Sequence, residues 1–115
     1  MYNLWSYRQQ LIGIGELENL TGYEVEATDG TIGSIEQASD EAGSSHIVVS
    51  TGMWIFGRKI MLPAGTIARI DHMERKVYID RDKDEVKSAP KYAEELRNDP
   101  GYHTHLDEYY GRAGM

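Results

Sequence analysis

The 115-residue chain has no cysteine. That absence excludes disulfide frameworks, thiol nucleophiles and cysteine-ligated zinc or iron–sulfur centres together. Positive charge is also scarce. Twelve lysines and arginines face 19 acidic residues, for a formal net charge of -7. Such a chain is repelled on average by phosphate backbones and anionic lipid surfaces, so nucleic acid is not the expected partner. No apolar run approaches the ~20 residues that span a bilayer. The first residues lack the basic start and continuous apolar stretch of a secretory signal, so a cytoplasmic protein is expected. The length suits one domain that can bury a core without metal or disulfide staples.

What is present is a period of two. Tyr23, Val25 and Ala27 alternate with Glu24, Glu26 and Thr28, the pattern of a half-buried strand. Asp29-Gly30 follows, a strong hairpin signal because a tight turn there needs positive φ at both residues. In Thr31-Ile32-Gly33-Ser34-Ile35 the two isoleucines fall on opposite parity. A bulge or bend at Gly33 would turn both inward. Further strands are expected over residues 46–51, 59–62, 66–70 and 76–81. No long helical pattern lies among them, which points to a small antiparallel barrel or sandwich. Residues 1–16 form an apolar N-terminal arm, expected to dock on the barrel or on a second copy. Residues 17–92 form the barrel domain. Residues 93–115 form a tail of short helices, with Asn98-Asp99-Pro100-Gly101 read as a stop between two of them.

The segment Leu20-Thr21-Gly22-Tyr23-Glu24-Val25, followed by Asp29-Gly30-Thr31-Ile32-Gly33-Ser34-Ile35, resembles the opening of a PRC-barrel domain. Lys59-Ile60-Met61-Leu62-Pro63, Val77-Tyr78-Ile79 and Lys87-Ser88-Ala89-Pro90-Lys91-Tyr92 continue the likeness in order. The family includes the cytoplasmic domain of the photosynthetic reaction-centre H subunit, the C-terminal domain of a ribosome-maturation factor, and stand-alone bacterial and archaeal members. The resemblance implies an all-β fold, a six-stranded antiparallel barrel. It also implies an interaction or assembly module that self-associates, with no catalytic residues and no cofactor.

Several clusters invite chemical readings. Asp80-Arg81-Asp82-Lys83-Asp84 spaces carboxylates like the start of a calcium loop. Such a loop needs Gly at its sixth position and Glu at its twelfth, and Glu85 and Lys91 stand there instead, so a solvated charged turn is expected. His103, His105 and Asp107 form a weak candidate transition-metal set. Gly13-Ile14-Gly15 lacks the third glycine of a dinucleotide fingerprint and reads as a joint. His46 with Asp40 and Glu41 could make a general base, but no nucleophile accompanies them, and a surface histidine at a strand edge is the simpler reading. Arg58-Lys59 and Arg75-Lys76 read as charges at strand turns.

Met53-Trp54-Ile55-Phe56 is the leading feature. Successive strand side chains alternate, so four large apolar residues in a row cannot share one face. Together with Trp5 and Tyr7 they make the candidate interface, either covered by the chain's own tails or used for a two-fold homodimer. The expected function is a non-enzymatic protein-interaction module. The alternative is a small-molecule or metal sensor built on the barrel mouth or the tail histidines.

Overall fold

A computed structural model describes residues 4–8, 20–39, 44–52 and 58–113. Six strands form one sheet: β1 (Glu24–Ala27), β2 (Gly30–Ser39), β3 (His46–Ser50), β4 (Lys59–Pro63), β5 (Ile67–Asp71) and β6 (Lys76–Ile79). Two helices follow, α1 (Lys83–Lys87) and α2 (Pro100–Ala113). The sheet order is β4-β3-β2-β1-β6-β5.

Two expectations are corrected here. The strands are not all antiparallel, because β1 and β6 run parallel, with Val25 opposite Val77. Alternation in a sequence has no direction, so it cannot tell a parallel neighbour from an antiparallel one. Nor is the sheet a closed barrel, since the described residues form no ladder between its edge strands β4 and β5. Those edges are nonetheless joined by the three-residue 3₁₀ turn Ala64–Thr66. A link that short keeps the end of β4 beside the start of β5, so the sheet must wind around its core.

The winding is concentrated in β2. Its first half pairs with β1 and its second half with β3, and Ser34 belongs to both ladders. The register slips twice, once between Val25 and Glu26 of β1 and again between Ile35 and Gln37 of β2. The first slip places Ile32 as an extra residue in β2, so Ile32 and Ile35 both turn into the core. Gly33 sits at this bend with φ 154, and a Cβ there would lie 2.0 Å from the Ser50 carbonyl oxygen. The backbone of β3 therefore passes where any side chain at position 33 would stand.

The β1–β2 turn falls one residue earlier than Asp29-Gly30. Ala27 pairs with Gly30, so Thr28 and Asp29 make the turn and Gly30, at φ 142, opens β2. Asp29 is freed for another contact, and its Oδ1 accepts from the Lys83 N–H at 2.9 Å.

The charged run 80–84 is the start of a helix. Asp82 Oδ1 accepts from the Glu85 N–H at 2.8 Å, and Glu85 Oε1 accepts from the Asp82 N–H at 3.2 Å. This reciprocal capping box opens α1 and accounts for the carboxylate spacing. The expected stop at residues 98–101 is likewise a start. Asp99 Oδ1 accepts from the Gly101 N–H at 2.8 Å, and Pro100 is the first residue of α2. An aspartate cap followed by proline is a favoured helix beginning, because proline lacks a donor that would go unused there.

Helix α2 contributes Tyr102, Leu106 and Tyr110 to the core, at spacings of four residues. The N-terminal segment contributes Leu4, Trp5 and Tyr7 to the same core. Between residues 89 and 97, Ala89, Tyr92 and Leu96 pack against it from outside.

Candidate functional site: the corner where the chain ends meet

Leu4 to Arg8 cross the end of the sheet where β2 and β4 finish and β3 and β5 begin. The Leu4 carbonyl accepts from the Gly65 N–H at 2.6 Å, and the Trp5 carbonyl accepts from the Ser45 N–H at 3.0 Å. Tyr7 donates its hydroxyl to the Ser39 carbonyl at 3.1 Å. The Arg8 guanidinium donates twice to the Gly65 carbonyl, at 2.9 and 3.1 Å, and pairs with Asp80.

The other chain end reaches the same corner. The His103 ring, on the first turn of α2, stacks on Trp5 with centroids 4.7 Å apart and planes 8° from parallel. His46 meets His103 edge-on at 6.0 Å. Carbonyl oxygens only accept, so proton positions follow from the partners. His46 Nδ1 donates to the Ser44 carbonyl at 2.7 Å and leaves Nε2 to accept from Arg97 Nε at 3.4 Å. His103 Nε2 donates to the Arg97 carbonyl at 2.6 Å. His46 is thus buried, not the surface histidine expected, and it positions the segment before α2. Asp40 and Glu41, its suggested carboxylate partners, lie outside the described residues.

A second junction fastens the far end of α2. Arg81 is 3% exposed. It pairs with Asp80 and donates from Nη2 to the Tyr110 carbonyl at 2.8 Å. Asp80 therefore holds Arg8 on one side and Arg81 on the other, so one carboxylate ties both chain ends to the sheet. The tyrosines of this region titrate high. Burial raises Tyr110 and Tyr102 well above the usual phenol range, and neighbouring tyrosines add to the effect. The Tyr110 hydroxyl and Arg81 Nε are buried without a hydrogen-bond partner among the described residues.

Among solved structures, the chain is similar to a crystal structure of RimM, a 16S ribosomal RNA processing protein of Pseudomonas aeruginosa. The TM-score is 0.52 at 20% identity, over 67% of this chain and 49% of that one. The likeness is one of fold. The chain spans about half the length of that protein. No protein-family model and no curated protein matches the sequence.

The predicted site residues fall into three groups. Trp5 and Tyr7 are buried against the chain's own sheet and helix. Met53, Trp54, Ile55 and Phe56 lie outside the described residues, as does Gly13-Ile14-Gly15. His103, His105 and Asp107 share α2 but are not gathered. His103 faces Trp5, His105 and Asp107 are exposed, and no metal-binding group of three or more such residues exists among the described residues. A spacing of two on a helix turns neighbours about 200° apart. The basic pairs are engaged as well. Arg58 Nη2 donates to the Lys87 carbonyl at 3.2 Å, Lys59 pairs with Glu36 at 3.2 Å, and Arg75 lies over the Tyr23 ring at 5.0 Å. Sequence reasoning missed Arg81 and Asp99. The second was signalled by Asp-Pro; nothing in the sequence marked the first.

Proposed function

We propose that the chain is a non-enzymatic interaction module built on a PRC-type sheet, and that it self-associates as a two-fold dimer. A protein assembly, with a maturing ribosomal particle as the leading case, is its outside partner. The observation that carries this reading is the likeness in fold to about half of a larger protein named for 16S ribosomal RNA processing. The order of motifs from Leu20 to Tyr92 supports the same family.

The polar groups of the corner point the same way. His46, His103, Asp80, Arg81 and Arg97 each hold one segment against another. A sensor using the end of the sheet where Trp5 lies would have to displace the chain's own first residues. Self-association is assigned to Met53, Trp54, Ile55 and Phe56. Light scattering should give a dimer mass for the natural chain at high micromolar concentration and a lower average mass for Trp54→Asp. A monomer in both cases would remove the self-association reading.

A further inference from the structure

Residues 4–8 bind their corner as a peptide ligand binds a groove. Two main-chain carbonyls are read by the Gly65 and Ser45 N–H groups, at 2.6 and 3.0 Å. Side-chain recognition follows: Trp5 stacks on His103 at 4.7 Å, Tyr7 donates to the Ser39 carbonyl, and Arg8 forks onto Gly65 and Asp80. Main-chain carbonyls held by backbone N–H groups, together with three side chains seated on fixed partners, are the ingredients of peptide recognition. None of these interactions depends on which copy of the chain supplies the segment.

The connection back to the sheet is long. Arg8 is followed by eleven residues, 9–19, before Leu20. A chain of that length reaches about 40 Å when extended. The protein itself measures 31 × 31 × 28 Å. The segment can therefore reach the same corner of a neighbouring copy without unfolding the sheet.

We propose that the corner formed by Ser39, Ser45, Gly65, Asp80 and His103 takes residues 4–8 of a second copy, so that two copies exchange their N-terminal segments. The exchange rests on the self-association reading and gives it a second route, apart from residues 53–56. Each bond that opens within one copy forms again between the two. The balance is then set by the connection and by protein concentration.

The chain has no cysteine, so single thiols can be placed freely. Arg8→Cys and Asp80→Cys place them on paired, partly exposed side chains. The two full-length variants are mixed at high micromolar concentration and treated with a short bismaleimide. Mass spectrometry should show linked dimers containing one chain of each kind, in several-fold excess over like-with-like dimers. The double variant should link within one chain when dilute and between chains when concentrated. Links within one chain at every concentration, with no unlike dimer in the mixture, would overturn the exchange. Failure of the double variant to link at all would remove the groove itself. A dimer by light scattering without the unlike link would leave self-association standing and the exchange refuted. Unlike links are expected to persist in the Trp54→Asp background, where dimerisation through that residue is removed.

Discussion

The two halves of the sheet meet solvent differently. Along β1 and β6 burial alternates, so one face packs on the core and the other faces outward. The outer face carries a satisfied mosaic: Thr31 donates to Glu26 at 2.6 Å, and Arg69 lies over the Tyr78 ring at 4.0 Å. Along β3 and β4 nearly every residue is buried, whichever face it points to. His46-Ile47-Val48-Val49 and Ile60-Met61-Leu62-Pro63 are continuous runs of this kind. Arg97 reaches His46 from outside this half, and α2 and the N-terminal segment close its end. One half thus leaves a face to solvent, and the other is buried on both faces, with the chain ends closing its end.

This contrast orders what substitutions should do. The joint between the halves should be the most sensitive point. Gly33→Val drives a side chain into the Ser50 carbonyl, and circular dichroism should show loss of cooperative folding, well beyond the roughly 1–3 kcal/mol of ordinary overpacking. Next comes the cover. Leu106→Ala removes a fully buried side chain from α2 and should cost about 2–5 kcal/mol in urea unfolding. Tyr78→Ala, on the outer face of the open half, should cost about 1 kcal/mol, the size of a cation–π contact and a cross-strand pair. Equal effects for the two would contradict the contrast.

The cover should also be sensitive to alkali. An unfolded tyrosine ionises near pH 10, whereas burial keeps Tyr110 neutral to higher pH in the folded chain. The unfolded state then releases a proton that the folded state retains. Stability is intact below about pH 10 and falls above it, by about 1.4 kcal/mol per pH unit for one such tyrosine. Urea midpoints measured between pH 8 and 11 should show this fall, and Tyr110→Phe should reduce it. At neutral pH the same substitution should cost little, because the hydroxyl it removes has no hydrogen-bond partner among the described residues.

The open half was the more legible in sequence. Alternation in residues 23–28 and 76–79 places β1 and β6, and the parity of Ile32 and Ile35 locates the bend at Gly33. The parallel pairing of those two strands was not legible, because it depends on the path through the intervening chain. The covered half was harder. Its strands were visible as β-branched and apolar runs, but a run shows that a strand is buried and not what buries it. Asp82 with Glu85, and Asp99 with Pro100, both read as loop chemistry because carboxylates serve turns and helix caps equally. Of the candidate site, Trp5 and Tyr7 were recognisable as anchors by type. Their targets, His103, Ser45 and Ser39, lie far along the chain from residues 4–8 and have no local signature.

The central structural claim is that α2 belongs to the same cooperative unit as the covered half of the sheet. Native-state hydrogen exchange, read by mass spectrometry on the intact chain, tests it directly. Amides around Leu106 should be protected to the same free energy as those of Ile47 to Val49 in β3, within about 1 kcal/mol. Exchange around Leu106 at nearly the unprotected rate, with β3 still protected, would show that the helix is an appendage and that the sheet stands without its cover.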